Sequence, residues 1–101
     1  MVLLQNMVGP GGVDDALEGE TQSECERQYG KVARVVIYEL AAGPGGGAVR
    51  DDEAVRIFVQ FADAAGAARA VLDLHGRYFA KRRVRASFYD EARFARLDLA
   101  P

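Results

Sequence analysis

Ala54-Val55-Arg56-Ile57-Phe58-Val59-Gln60-Phe61 alternates without a break: Val55, Ile57, Val59 and Phe61 share one side, and Arg56, Phe58 and Gln60 the other. A hydrophobic period of two predicts a β-strand with one buried face. Downstream, Asp63 can cap an Ala-rich helix running to about Leu72, with Ala65, Ala68, Val71 and Leu72 as its apolar stripe. Arg83 to Phe88 then reads as a fourth strand, with Val84, Ala86 and Phe88 facing the core, and Asp90 to Leu97 as a short final helix. Upstream, Val32 to Leu40 is rich in β-branched residues and reads as a strand ending in the loop Ala41 to Gly47. That loop lacks the Lys-Ser/Thr ending of a phosphate loop, so Gly43 to Gly47 is expected to be a flexible connector. Val13 to Gln28 reads as a helix, because Val13, Leu17, Thr21 and Cys25 recur at spacing four and Gly30 supplies the stop. Val2, Leu3 and Leu4 form a short first, central strand before the turn stretch Gly9-Pro10-Gly11-Gly12.

The order is β-α-β-β-α-β with a tail helix, an α+β split-βαβ arrangement. It implies a four-stranded antiparallel sheet with two helices on one face, the other face being open or covered by the tail. Residues 1–101 read as one domain, since a chain of this length builds a single modest core. Beginning directly at a strand, it reads as a domain cut from a longer protein.

Half the residues are hydrophobic and 28% are charged, which is ordinary globular composition. One Cys and one His cannot build a disulfide or a His-based metal cluster, and no nucleophile is paired with a base, so no cofactor, metal or enzymatic chemistry is expected. No apolar run approaches the roughly 20 residues that cross a bilayer.

The formal net charge of −2 conceals a polarised chain. Asp14, Asp15, Glu18, Glu20, Glu24 and Glu26 precede residue 27 with no basic residue among them. Beyond Arg69 the balance reverses, with Arg77, Lys81, Arg82, Arg83, Arg85, Arg93 and Arg96 following. Charge runs are usually solvated faces, and Asp15, Glu18 and Glu26 are read that way. Cys25 is expected to be an inert core thiol, and His75 a loop residue rather than a ligand.

The element order is similar to that of the RNA recognition motif. That motif's third-strand octamer starts with a basic residue and Gly and carries further aromatics. Here Phe58 and Phe61 fit, but the basic-Gly start is missing, Arg56 occupies an aromatic position, and Leu3 replaces the aromatic of the first strand. Only Phe58 remains of a platform that normally stacks two or three bases.

The segment Leu74-His75-Gly76-Arg77-Tyr78-Phe79, taken with the acidic first helix, resembles the U2 auxiliary factor homology motifs. These are RNA-recognition-motif variants that bind proteins and are marked by Arg-X-Phe at this place. The resemblance extends over essentially the whole chain. It implies a pocket between the two helices that receives a Trp from a disordered, Lys/Arg-rich segment. Phe79 would be its aromatic wall, Arg77 its lid with Glu20 as partner, and Tyr78 a secondary contact. Asp14 and Glu24 would join Glu20 in attracting the basic segment. The resemblance also implies a nuclear pre-mRNA splicing role. The ligands would then be segments of the U2 snRNP scaffold subunit, the large auxiliary-factor subunit and the branchpoint-binding protein. Lys81-Arg82-Arg83 departs from the Gly-Gly-Arg usual in that family, whose glycines allow backbone conformations that Ala80 and Lys81 resist. The alternative reading is a single-stranded RNA binder using Arg56 and Phe58 with Lys81, Arg82, Arg83 and Arg85.

Overall fold

The structure, a computed structural model, describes residues 1–9, 12–40, 53–79 and 81–99. Its elements are β1 (Val2–Gln5), α1 (Leu17–Tyr29), β2 (Val32–Glu39), β3 (Val55–Phe61), α2 (Ala64–Leu74), β4 (Tyr78–Phe79), β5 (Arg82–Arg83), β6 (Arg85–Phe88) and α3 (Glu91–Ala95). Four strands form one antiparallel sheet in the order β2-β3-β1-β6, so the split-βαβ fold holds with β1 and β3 at the centre. The expected connector at Gly43 to Gly47 lies outside the described residues.

Alternation along the strands sorts side chains into two cores. Val2, Leu4, Val35, Ile57, Val59 and Ala86 meet Cys25 and Tyr29 of α1 and Ala67, Ala70 and Leu74 of α2. On the other face Leu3 and Phe58 meet Met1, Phe94 and Leu99. The tail therefore covers the second face, and β3 is buried on both sides rather than one. Asp90 caps α3 by accepting a hydrogen bond from the Ala92 N–H at 2.8 Å, which turns Phe94 onto the sheet.

Three expectations change. The fourth strand is broken: Arg82–Arg83 pairs back on Tyr78–Phe79 as a separate hairpin, and only Arg85–Phe88 joins the sheet. Phe88, expected in the core, is 63% exposed, because it ends an edge strand beside the small residues Ala64 and Ala67 at the start of α2. On α2 the buried residues are Gly66, Ala67, Ala70 and Leu74, and Leu72 is 83% exposed. An Ala-rich helix carries two weak apolar faces, and close approach chose between them. A Cβ on Gly66 would lie 3.1 Å from the Tyr29 carbonyl and 3.3 Å from the Phe61 ring, so the glycine turns inward. Helix bounds shift modestly, as α1 starts at Leu17, α2 reaches Leu74 and α3 stops at Ala95.

Candidate functional site

The Arg77-Tyr78-Phe79 segment is held by backbone pairing. The Gly76 N–H donates to the Val84 carbonyl at 2.7 Å, and the Val84 N–H donates to the Arg77 carbonyl at 2.8 Å. Gly76 has φ +83°, a conformation open to glycine at little cost, and a Cβ there would press on the Arg83 guanidinium at 3.3 Å. The His75 Nδ1 accepts the Ala86 N–H at 3.1 Å, so this lone histidine closes the edge of β6 and serves as a structural loop residue.

Beyond Arg77 the chain forms the β4–β5 hairpin, with Tyr78 opposite Arg83 and Phe79 opposite Arg82. Successive strand residues point to opposite sides. Phe79 turns in and packs on the core, and Tyr78 stays 68% exposed. Asn6, at φ +66°, donates from Nδ2 to the Arg83 carbonyl at 2.9 Å and so ties the exit of β1 to the hairpin.

Lys81 turns the hairpin at φ +69°, where an L side chain costs energy that glycine does not. Lys81→Gly is therefore expected to stabilise the domain by about 0.5–1 kcal/mol, the left-handed strain relieved less the chain entropy of a glycine. Thermal unfolding followed by circular dichroism checks it. An unchanged or lower midpoint would show that Lys81 bears no strain.

Two spaces lie between α1, the exit of β1 and the hairpin, and the smaller one also reaches Leu74 of α2. The first is a small interior cavity of about 70 Å³, lined by Thr21, Glu24, Cys25, Gln28 and Tyr29 from α1, Leu74 from α2, and Met7, Arg77 and Phe79. The second is an open groove of about 390 Å³ lined by Met7, Val8, Leu17, Glu20, Thr21, Glu24 and Phe79. Met7, Thr21, Glu24 and Phe79 belong to both, so the cavity is the deep end of the groove. The groove's volume falls within the range typical of small-ligand pockets.

The fold brings Phe79, Arg77, Glu20 and Glu24 together around these spaces and leaves Tyr78 and Asp14 off their linings. The Asp14 carboxylate instead accepts the Ala16 N–H at 3.0 Å at the entry to α1. Arg77 is not with Glu20: its Nη2 donates to Asp73 Oδ1 at 3.0 Å, one helical turn back. The other Asp73 oxygen accepts the Tyr29 hydroxyl. Burial first, and then the hydrogen bond and charge of Asp73, push the Tyr29 phenol well above its ordinary value. Glu24 accepts from Arg27 and Gln28, and no side-chain partner engages Glu20 among the described residues. Burial, helped by the charge of Glu24, pushes the Cys25 thiol up to about 11, which keeps it protonated and inert at neutral pH.

Met7, Leu17, Thr21, Tyr29 and Asp73 join the site in the structure and are not site residues on the sequence reading. The stripe Leu17-Thr21-Cys25-Tyr29 reads as core from the sequence; in the structure Leu17 and Thr21 line the groove, and Thr21, Cys25 and Tyr29 line the cavity. Asp73 precedes Arg77 by four residues, the spacing of a helical ion pair.

Phe58 and Arg56, the sheet residues of the alternative reading, lie under the tail. Phe58 is 0% exposed, with the Tyr89 ring edge-on at 4.9 Å and the Phe94 ring at 5.7 Å. Arg56 is 4% exposed, its guanidinium 5.6 Å from Phe58 and 5.8 Å from Tyr89. In the basic stretch, Arg82 packs its guanidinium against Gly9 and Lys81 is exposed. Arg83 and Arg85 share a cleft with Asn6 and His75.

No family model matches the chain. It is 53% identical over 100 residues to splicing factor 45 of Homo sapiens, a match covering 99% of the chain and 23% of that protein. It is 52% identical over 101 residues to DNA-damage-repair/toleration protein 111 of Arabidopsis thaliana, covering all of the chain and 25% of that protein. It is 44% identical over 102 residues to poly(U)-binding-splicing factor PUF60-B of Danio rerio, covering 98% of the chain and 18% of the relative. The chain thus spans a quarter or less of the curated relatives it matches. Among solved structures, the Rna15 RNA recognition motif with bound RNA superposes with a TM-score of 0.60 at 17% identity, covering 96% of this chain and 94% of that one, which shows the fold alone. A whole-length match to splicing factor 45, joined to an Arg-Tyr-Phe hairpin beside an acidic helix on this fold, places the chain among the U2 auxiliary factor homology motifs, the RNA-recognition-motif variants found in splicing factor 45 and PUF60.

Proposed function

We propose that the domain captures a Trp from a disordered, Lys/Arg-rich protein segment in the groove between α1, the exit of β1 and Phe79 of the β4–β5 hairpin, whose deep end reaches Leu74 of α2. One observation carries this reading: the apolar groove walled by Phe79, Met7 and Leu17 has Glu20 and Glu24 on its rim. An indole entering there would exchange water for Phe79, and Trp–Phe pairs gain about 0.5–1.5 kcal/mol beyond burial. The two carboxylates, one helical turn apart, would hold cations flanking the Trp and speed encounter with basic partners. Arg77 would leave Asp73 and cross to Glu20 as the ligand seats. The partners that fit are segments of early splicing components: the U2 snRNP scaffold subunit, the large auxiliary-factor subunit and the branchpoint-binding protein.

The chain contains no Trp, so a ligand's indole fluorescence reports binding without background. Titrating a Lys/Arg-rich peptide with one Trp should shift its emission, and Trp→Ala in the peptide should abolish binding. Glu20→Lys should weaken binding about 3–10-fold at low salt, with a smaller difference at high salt. Equal affinity for wild type and Glu20→Lys at low salt would remove Glu20 from the site.

A second reading, RNA contact, is favoured by the cleft where Arg83 and Arg85 meet Asn6 and His75. It would be a backbone contact at the sheet edge rather than base stacking on Phe58. An RNA titration run beside the peptide, with Arg83→Ala, separates the two.

A further inference from the structure

On the solvent side of α1, Ala16, Gly19, Glu20, Ser23, Glu24 and Arg27 line a shallow open trough. Ser23 is exposed there, and its hydroxyl makes no hydrogen bond among the described residues. Carboxylates stand three residues before it (Glu20), one after it (Glu24) and three after it (Glu26). Ala16 and Gly19, on the same side, leave its approach open, since a Cβ at Gly19 would meet nothing within 4 Å.

We infer that Ser23 is a phosphorylation site for an acid-directed Ser/Thr protein kinase, and that its phosphate strengthens the acidic rim of the groove. The flanking carboxylates are the feature that a basic substrate cleft of such a kinase reads. In the transfer, the Ser23 hydroxyl oxygen forms a bond to the γ-phosphorus of ATP as the β–γ bridging bond breaks. ADP leaves with that electron pair, and the hydroxyl proton passes to the kinase's catalytic carboxylate. Ser23 sits near the middle of α1 between the buried Thr21 and Cys25, so a kinase must open the helix locally there to reach it.

The consequence follows from the ion pairs already present. Arg27 donates to Glu24, which spends part of that carboxylate's charge within the helix. A phosphate on Ser23 stands four residues before Arg27, the spacing at which it can take over that guanidinium. It adds about −1.5 to −2 charges at neutral pH and returns Glu24 to a basic ligand. This effect on affinity rests on the peptide-capture reading; the modification itself does not.

The test uses the whole chain, an active acid-directed Ser/Thr kinase and ATP, with the product mapped by tandem mass spectrometry. Stoichiometric phosphate on Ser23, absent from Ser23→Ala, is the expected result. No phosphate on the folded chain, or phosphate confined to another residue, overturns the site. The phosphorylated and unmodified chains are then titrated with the same Trp-bearing basic peptide. The phosphorylated form should bind about 3–10-fold tighter at low salt, the gain shrinking as salt screens the rim. An equal or weaker affinity overturns the regulatory effect. Failure of the unmodified chain to bind the peptide would count against peptide capture, and the mapped phosphate would still decide the modification.

Discussion

Phe79→Ala should bind a Trp-bearing basic peptide at least about 30-fold more weakly than the wild type, the loss expected when an aromatic hot-spot wall of about 2 kcal/mol or more is removed. Phe79 lines both the open groove and its deep end, so no neighbouring side chain can replace its ring against an indole. It is only half-buried, on a two-residue strand outside the main sheet, so the variant should retain its fold. Fluorescence titration gives the affinity, and an unfolding curve on the same sample establishes that the domain is intact. Tyr78→Ala, on the opposite side of the same strand, should bind within a few-fold of wild type. Comparable losses at the two positions would mean that the peptide runs over the outside of the hairpin.

Phe58→Ala should cost about 3–5 kcal/mol of folding stability, the range for truncating a fully buried aromatic. The loss is large because Phe58 has no exposed surface and joins the tail to the sheet, touching Tyr89 and Phe94. Small domains hold about 5–15 kcal/mol in total, so the variant should unfold at a far lower urea concentration. Phe88→Ala is the companion control, since Phe88 is largely exposed and its loss should change stability by about 0.5 kcal/mol or less. If instead Phe58→Ala were as stable as wild type, the tail would not rest on the sheet in solution. Phe58 would then be available to stack on a base, as the alternative reading requires.

The two residues show how far a sequence pattern reaches. Phe58 and Phe88 both sit in alternating strands, and alternation assigns each a side. It does not say whether that side is covered. Coverage came from Phe94 and Leu99 for Phe58, and among the described residues nothing comparable covers Phe88. On α2 the same limit appears as a choice between two Ala-rich faces, settled by the approach of Gly66 to Tyr29 and Phe61.

The site divides along similar lines. Glu20 and Glu24 are read as one face of a helix from spacing alone, and the structure sets both on the groove. The resemblance pairs Arg77 with Glu20, and in the structure it pairs with Asp73. An i,i+4 pair on the end of α2 needs little rearrangement, and reaching across to α1 requires a ligand to occupy the space between. Tyr29 closes this network from a position that sequence alone reads as core.

What the sequence by itself determined is the element order, the sheet and the polarity of charge along the chain, because these follow from local periodicity and from residue types next to one another. It also marked the Arg77-Tyr78-Phe79 segment as the feature to examine. Only the tertiary structure decided that the tail seals the second face of the sheet. The same holds for the hairpin that turns Phe79 inward and Tyr78 outward, and for Asp73 as the holder of Arg77. Each of these depends on which surfaces far apart in sequence come into contact, and periodicity along one segment carries no information about its distant neighbours.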